Sequence, residues 1–352
     1  MRKALLVGCM ALCFNAVILE EAWAGNNDRA GQAGATELLI NPWARSSGLA
    51  GANSGSIRGL ESMFLNIAGT AFTKRTEIVF SHTDYFKGSG ININAVGFTQ
   101  KIGESGVMGL GIMSMDFGQD DITTVDLPEG NLGTFSPQFL NITGSYAKVF
   151  SNSIYGGIAF KIIDESISNL NAGGLAFDAG IQYVTGTKAD KDNIKFGIAL
   201  RNVGPPLTFS GDGLSFKGTV LSSGQTITVE QRVEKFEMPS LINIGITYDH
   251  KLAEMHRLSI CGTFTANSFS NDQFAFGLEY AFKETFMLRA GYQYEKDIND
   301  DVLKHTANDG LSAGVTVDVP VGKAGKKFGI DYSYTLTNPF DGTHRIGAKI
   351  NL

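Results

Sequence analysis

Large apolar residues alternate with small or polar residues along most of the chain beyond residue 74. Residues 276–297, FGLEYAFKETFMLRAGYQYEKD, contain two such runs, one on each side of Glu284. Successive side chains of a β-strand point to opposite faces of a sheet, so a period of two indicates a strand with one apolar face. The pattern predicts an all-β protein built from long strands.

Fourteen runs of this kind are bounded by turn-forming residues, and most of them are ten to fourteen residues long. A strand in a globular protein averages about five or six residues, whereas a strand that crosses a membrane needs about nine to eleven. The lengths therefore favour strands that cross a bilayer. The predicted strands cover residues 75–86, 89–101, 106–117, 137–150, 154–166, 174–186, 192–203, 239–250, 255–267, 272–283, 285–296, 309–319, 327–338 and 343–352.

The connections between the predicted strands are mostly short on one side and include long loops on the other. The long loops cover residues 118–136, 204–238 and 297–308, and each follows an odd-numbered strand. This asymmetry is typical of outer-membrane barrels. The sequence therefore predicts a 14-stranded antiparallel transmembrane β-barrel over residues 75–352, with its apolar face toward lipid and its polar face toward the lumen.

Charged side chains in the middle of several runs fall on the polar face. Parity around the turn at Glu284 places Glu279 opposite Arg289, and we expect these two residues to form an ion pair inside the barrel. A charge on the lipid face would cost about 2–4 kcal/mol at mid-bilayer. A solvated or packed lumen is a sufficient explanation for the other inward charges, which are Asp178, Lys195, Arg201, Asp318, Asp331, Arg345 and Lys349.

Small residues also recur on the inward face. A Gly-[Leu/Ile]-x-Tyr pattern begins at Gly180, Gly245 and Gly277 and turns each glycine toward the lumen. Glycine at these positions leaves room for strand coiling or for opposing luminal side chains, and a ligand channel is the alternative explanation. The same alternation places Cys261 inward, where we expect an inert small residue.

The N-terminal region does not alternate. Arg2 and Lys3 precede a mostly apolar stretch, and Ala22-Trp23-Ala24 supplies a cleavage pattern, so residues 1–24 are predicted to be a secretory signal peptide. Residues 6–9 resemble a lipobox, although few apolar residues precede Cys9. Residues 25–74 are rich in glycine and small side chains. We expect this segment to plug the lumen or to lie beneath it on the periplasmic side.

Composition and motifs limit the function further. Charged residues make up 18% of the chain and the formal net charge is −6, which argues against nucleic-acid binding. The histidines lack metal-ligand spacing and no nucleophile–base or phosphate-binding motif is present, so we expect neither an enzyme, a metal nor a cofactor. His82 with Asp84 could activate water, but both fall near the rim of their strand. Solvated charge explains the acidic loops more simply than Ca²⁺ binding does.

Several short motifs resemble the PorV/PorQ family of outer-membrane barrels, which are related to the FadL fatty-acid transporters. The stretch 44–52, ARSSGLAGA, and the later Asn66-Ile67-Ala68-Gly69 are similar to two stretches that this family carries near the barrel entry, with Ile67 in place of the family's Pro. The remaining similar motifs follow in order along the chain and are Arg201-Asn202-Val203-Gly204, Met238-Pro239, Gly277-Leu278-Glu279-Tyr280 and Leu288-Arg289-Ala290-Gly291-Tyr292.

The resemblance implies a FadL-like barrel in the outer membrane of a bacterium of the Bacteroidetes type. The best-known members serve type IX secretion, so the implied partners are outer-membrane lipid, secretion subunits and the C-terminal domains of cargo proteins. The alternative function is transport of a hydrophobic small molecule, with residues 25–74 as a hatch. Under the first function, the apolar loop residues expected to bind partners are Leu127, Leu132, Phe135, Leu207, Phe209, Leu214 and Phe216.

Overall fold

The computed structural model describes residue 25 and residues 27–185, 193–300, 302–322 and 325–352, so the predicted signal peptide lies outside the described residues. Within this part of the chain the strands are β1 (Thr76–Tyr85), β2 (Ile91–Ile102), β3 (Gly106–Asp116), β4 (Asp120–Asp121), β5 (Thr134–Phe135), β6 (Gln138–Val149), β7 (Ile154–Ile167), β8 (Leu170–Val184), β9 (Ile194–Val203), β10 (Ser215–Thr219), β11 (Thr226–Glu230), β12 (Leu241–Ala253), β13 (His256–Asn267), β14 (Gln273–Phe282), β15 (Phe286–Glu295), β16 (Asn308–Val321), β17 (Lys326–Thr337) and β18 (Thr343–Asn351).

Fourteen of these strands close into an antiparallel barrel in which β1 pairs with both β2 and β18. The predicted fold class is therefore confirmed, and most predicted strands differ from the observed ones by a few residues at their ends. The largest difference is in β8, which starts at Leu170 because Ile167 pairs with Leu170 across a tight turn. Ser168 adopts φ 51° in that turn, which replaces the longer connection over residues 167–173 left between the predicted strands.

The two ends of the barrel differ in their connections. At the end that we call the loop end, residues 117–137 and 204–240 form long excursions that contain the hairpins β4–β5 and β10–β11. At the opposite turn end, described connections such as residues 103–105 and 283–285 are short. β1 runs from the turn end to the loop end, and each following barrel strand reverses direction.

An apolar belt covers the outside of most of the wall. On β14 every outward residue is large and apolar, in the order Phe274, Phe276, Leu278, Tyr280 and Phe282. Other strands continue the belt, since Ile242, Ile244 and Ile246 of β12 are also exposed. Among the described helices, none has the length and apolarity that a membrane-crossing helix requires.

Near the loop end, β1, β2 and β3 carry polar residues on their outward face, and β2 and β3 also carry apolar residues on their inward face, which corrects the expectation of an apolar exterior and a polar lumen along the whole wall. Here polar side chains point outward on all three strands, and the inward residues of β2 and β3 are apolar and buried, whereas β1 places Ser81 and Thr83 inward. The cause is the packing of the N-terminal segment against the inner wall, because that segment supplies its own large apolar side chains. The buried inward apolar residues are Ile93, Ala95, Met113 and Met115, and the exposed outward residues are His82, Asn94 and Ser114.

Residues 27–74, which we call the plug, lie inside the barrel. The plug enters at the loop end, where Ala33 pairs with Glu237, and it leaves at the turn end to join β1. Its regular elements are short because small residues and glycines dominate its sequence. They are the 3₁₀ helices Asn27–Arg29, Thr36–Leu39 and Ile67–Phe72 and the α-helices α1 (Ala44–Ser47) and α2 (Ser62–Leu65).

Glycines of the wall lie against the backbone of the plug. A Cβ atom on Gly55 of the plug would lie 2.8 Å from the carbonyl group of Gly245, and one on Gly277 would lie 3.0 Å from the Leu49 side chain. A larger residue at these positions would displace the plug, which explains the recurring inward glycines. The wall glycines that face the plug in this way are Gly157, Gly180, Gly197, Gly245, Gly277, Gly291 and Gly314.

Polar side chains of the wall bind carbonyl groups of the plug. Because the plug has little regular structure, its carbonyl groups need partners from elsewhere when they are buried. The hydrogen bonds that join wall to plug include Gln182 Nε2 to Ile57 O at 3.0 Å, Asn243 Nδ2 to Leu65 O at 3.1 Å and Thr263 Oγ1 to Ala52 O at 2.8 Å.

Candidate functional site

The plug divides the barrel interior into two regions of opposite character. Toward the loop end, plug and wall form an apolar compartment that includes Trp43 and Met63. Toward the turn end, a charged vestibule of about 910 Å³ lies between the plug and the part of the wall that runs from β9 through β18 to β1. Helix α1 separates them, because Trp43 at its start lines a pocket in the first region and Arg45 lines the second.

The apolar compartment is closely packed. A pocket of about 40 Å³ remains between plug and wall, and it is bounded by both apolar and polar side chains. The residues that line it are Leu38, Pro42, Trp43, Met63, Phe64, Gly111, Ile112, Met113, Asn141, Thr143 and Lys161. Aromatic rings and methionine sulfurs suit an aromatic or flexible apolar ligand, since both make favourable contacts with π-systems.

A buried group of charges lies at the edge of this compartment. Lys161 Nζ lies 2.7 Å from Asp178 and donates a hydrogen bond of 2.7 Å to Asn202 Oδ1. Arg201 stacks over the Phe64 ring at 4.1 Å and donates to the Leu38 carbonyl oxygen at 3.3 Å. Its Nε atom has no hydrogen-bond partner among the described residues.

A bulge in β9 creates this arrangement. The pairing of β8 with β9 shifts register beside Asp178, and Asn202 adopts φ 57°. The bulge turns both Arg201 and Asn202 inward, so that Asp178 can accept from the Asn202 backbone N–H at 2.8 Å.

Lys161 and Asn202 were missed by the sequence analysis. Asn202 next to Val203-Gly204-Pro205 was the available signal, because asparagine tolerates positive φ and bulges are common at strand ends.

Glu279 is the centre of the charged groups near the turn end. Arg289 Nε donates to Glu279 Oε2 at 2.6 Å, as the parity of the two strands requires. Arg257 Nη2 donates to the other carboxylate oxygen at 2.9 Å, and Arg45 Nη2 of the plug lies 3.5 Å from Oε2. The structure therefore joins the predicted pair to two further arginines, one of which ties the plug to the wall.

The other predicted luminal charges all point inward, and some of them extend the group around Glu279. Asp331 lies 3.9 Å from Arg289 and also accepts from Thr316. Asp318 and Lys349 are 3.9 Å apart, and Lys195 pairs with Asp249. Arg345 is apart from these groups and binds the plug, since its Nε donates to the Asn41 carbonyl oxygen at 3.0 Å.

Glu61 is a buried carboxylate of the plug that the sequence analysis did not single out. Its Oε2 accepts a hydrogen bond from the backbone N–H of Ser46 at 3.2 Å, which links it to α1. Burial, and next the nearby Asp331 carboxylate, raise the pKa of Glu61 to about 7. This side chain therefore changes charge near neutral pH, at a point where the plug faces the vestibule.

The predicted loop residues fall into three groups. Leu127, Leu132 and Phe216 are exposed, whereas Phe135, Phe209 and Leu214 are partly buried. Leu207 is only 1% exposed because it packs in the apolar compartment, so its predicted place as a partner-binding anchor on the loop surface is wrong.

Two further candidate residues of the sequence analysis are His82, on the outer face, and Cys261, which lines the vestibule. His82 points outward and its Nδ1 lies 2.9 Å from Asn94 Oδ1. Cys261 is a free, buried thiol. The described residues contain no group of three or more His, Cys, Asp or Glu side chains that could hold a metal ion.

Comparisons with known proteins support the fold. No protein-family model matches the sequence, and no curated protein matches it. Among solved structures, the chain is similar to a CymD monoaromatic hydrocarbon channel, with 12% identity, a TM-score of 0.55 and coverage of 89% of this chain and 97% of that one. The toluene transporter TodX of Pseudomonas putida gives 12% identity, a TM-score of 0.56 and coverage of 88% and 97%.

A third similar structure is the toluene transporter TbuX of Ralstonia pickettii, with 13% identity, a TM-score of 0.52 and coverage of 88% and 97%. A Pseudomonas aeruginosa FadL homologue also matches, at 12% identity and a TM-score of 0.50. None of these four structures is described as a PorV, PorQ or secretion protein. The chain thus has the fold of the FadL-type channels, a closed antiparallel barrel with few helices.

Proposed function

We propose that this protein is a bacterial outer-membrane channel for small hydrophobic molecules, and thus a transport protein rather than an enzyme. The location is supported by the belt of exposed apolar side chains on most of the wall. A closed barrel leaves no free strand edge, which is the condition for a β-sheet to cross a bilayer. The short connections of the turn end are expected on the periplasmic side, and the loop end is expected outside the cell.

The apolar compartment is the observation that carries this function. A barrel that passes hydrophilic solutes has a polar, water-filled interior. Here plug and wall instead bury a continuous set of apolar side chains inside the lumen, including Leu38, Trp43, Ile93 and Met113. A hydrophobic molecule that enters this region leaves water for apolar contacts, which is favourable in proportion to its buried area.

Part of the plug must change conformation for such a molecule to pass. An engineered apolar cavity of about 150 Å³ binds benzene, whereas the pocket beside Trp43 measures about 40 Å³. A single aromatic ring therefore needs side-chain rearrangement to enter. Since α1 separates this pocket from the vestibule, displacement of α1 would connect the two regions.

The similar structures support the ligand class. CymD is described as a monoaromatic hydrocarbon channel, and TodX and TbuX are described as toluene transporters. The aromatic and sulfur-containing side chains of the pocket suit a ligand of that size. We therefore expect single-ring hydrophobic molecules to be transported.

Uptake of radiolabelled toluene by bacteria that express the protein tests the function. We expect uptake above that of cells without it, and we expect Met113→Gln to lower the added uptake by roughly ten-fold, because a polar amide in an apolar site costs about 1–3 kcal/mol. Met255→Gln is the matched control, since Met255 is exposed at the turn end. Uptake equal to that of cells without the protein, at equal amounts of folded barrel, would refute the proposal.

A protein-binding role in type IX secretion is a second proposal. It is supported by the resemblance to the PorV/PorQ family and by the exposed Leu127, Leu132 and Phe216 at the loop end. Purification from native outer membranes tests it, because a bound secretion subunit or cargo protein would separate this role from transport. Replacing the three residues by serine should release such a partner and leave toluene uptake unchanged.

A further inference from the structure

Near the loop end, β1, β2 and β3 present polar side chains on the outer surface, where most of the barrel presents its apolar belt. The outward row His82, Asn94 and Ser114 joins the three strands, because Asn94 is the register partner of both His82 and Ser114. One step nearer the loop end, Asp84, Asn92 and Asp116 form a second polar row in the same register. These rows form one continuous surface, which we call the polar patch.

The polar patch shortens the belt on β1 and β2, whereas β3 keeps the outward apolar residues Met108, Leu110 and Ile112. On β2, Val96 and Phe98 are the outward residues between Asn94 and Gln100, and on β1, Ile78 and Phe80 lie between Thr76 and His82. Six residues at a rise of about 3.3 Å and a tilt of about 40° correspond to a height of about 15 Å. A typical barrel has an apolar band about 25 Å tall.

The opposite side of the barrel carries a full belt. On β14 the outward apolar run covers the whole strand from Phe274 to Phe282, and the next positions of the same parity are the buried Asp272 and the exposed Glu284. Twelve residues at the same rise and tilt correspond to about 30 Å, which is twice the height on β2. The barrel therefore meets hydrocarbon over unequal heights around its circumference.

We propose that the hydrated headgroups of the outer lipid leaflet descend onto the polar patch, so that the membrane is locally thinned beside β1 and β2. This inference rests on the proposed outer-membrane location. Charged and amide side chains are costly in hydrocarbon, whereas a bilayer adapts to a short apolar stretch at a modest cost for each ångström. Water and headgroups can satisfy both the carboxylates and the amides of the patch, which hydrocarbon cannot.

The interior agrees with this placement. Behind the patch, Ile93, Met113 and Met115 point into the apolar compartment. In this part of the wall the apolar face thus packs against apolar side chains inside the barrel, and the outward polar face requires hydration. That is the arrangement of a sheet in a water-soluble protein, where one face packs on the core and the other is solvated.

Cysteine labelling on intact cells tests the proposal. Ser114→Cys, in a chain whose native cysteines are replaced by alanine, changes one atom at an exposed position of the patch. Ala290→Cys is the matched control within the belt of β15, and Ser223→Cys marks an exposed loop position. Asn94→Cys is a second patch variant that serves if Ser114→Cys fails to fold.

The readout is the rate of reaction with a charged maleimide that does not cross membranes. We expect the patch cysteine to react within about ten-fold of Ser223→Cys, and Ala290→Cys to react at least about 30-fold more slowly, because the reactive thiolate is disfavoured at mid-bilayer. A patch cysteine as slow as Ala290→Cys would overturn the inference, whether acyl chains or a protein cover the patch. Rapid labelling of all three positions would instead overturn the membrane location itself.

Discussion

Substitution of Gly291 by alanine tests whether the wall glycines hold the plug in place. A Cβ atom at Gly291 would lie 2.6 Å from both the Ala50 nitrogen and the Leu49 carbonyl oxygen, and it would also meet the Leu49 carbonyl carbon. All three are backbone atoms of the plug, so no rotamer change relieves the overlap. Inserting a methyl group into a packed interior costs about 1–3 kcal/mol, and here the plug must shift to accommodate it.

Gly144→Ala is the matched control. Gly144 lies in β6 with its Cβ direction outward, and a Cβ atom there meets no heavy atom of the described residues within 4 Å. The same change of residue in the same kind of strand thus adds a methyl group without overlap. Because glycine loses more conformational freedom on folding than alanine does, we expect Gly144→Ala to be neutral or stabilising by up to about 1 kcal/mol.

Two measurements distinguish the variants. Equilibrium unfolding in urea should show a loss of about 1–3 kcal/mol for Gly291→Ala relative to Gly144→Ala. Vesicles that contain Gly291→Ala should also swell faster in a small sugar than vesicles with the unsubstituted protein, because a displaced plug opens an aqueous path. If Gly291→Ala matched Gly144→Ala in both stability and swelling, the glycines would not be what seats the plug.

Three further outcomes follow from the luminal groups. Glu279→Gln should lower the free energy of unfolding by about 3–5 kcal/mol, because it removes the carboxylate that pairs with the buried Arg289. In the same urea titration, Glu284→Gln should cost under about 1 kcal/mol, because the Glu284 side chain is 51% exposed. Burial raises the pKa of Glu61 from 4.5 to about 7, so its contribution to stability is complete below pH 4.5 and is lost as pH rises to about 7. Glu61→Gln should remove that part of the pH dependence of the urea midpoint. Trp43→Ala should enlarge the apolar pocket and raise toluene uptake, and unchanged uptake would place the ligand route elsewhere.

The strand pattern was accessible from the sequence because long alternating runs specify both the strands and their register. The clearest case is β14 with β15, where the parity of apolar residues around Glu284 fixes Glu279 opposite Arg289, and these residues are register partners in the structure. A slip of one residue would turn an entire face around, so few registers are compatible with the pattern. The inward position of Gly277 follows from the same constraint. The contact with the plug that requires a glycine there does not follow from it.

The orientation of β1, β2 and β3 near the loop end could not be predicted in the same way. Alternation distinguishes two faces of a strand but not which face is inside. In ININAVGF of β2, the large apolar residues stand at odd positions up to Ile93 and at even positions from Val96, so alternation alone does not say which face is inward. Packing against the plug places Ile93 inward. The contact between Arg45 and Glu279 was equally inaccessible, because the plug has no periodicity that would place its side chains against a particular strand.

The interdependence of plug and wall limits how the proposed channel can open. If the whole plug left the barrel, the inward Ile93, Met113 and Met115 would be exposed to water, and many wall groups such as Gln182 and Asn243 would lose their hydrogen-bond partners. Exposing that apolar surface would cost about 25 cal/mol for each square ångström, which no small ligand could offset by its own binding. A shift confined to α1, which carries Arg45 on the vestibule side, breaks few of these contacts. Local movement of the plug is therefore the energetically accessible route from the apolar compartment to the turn end.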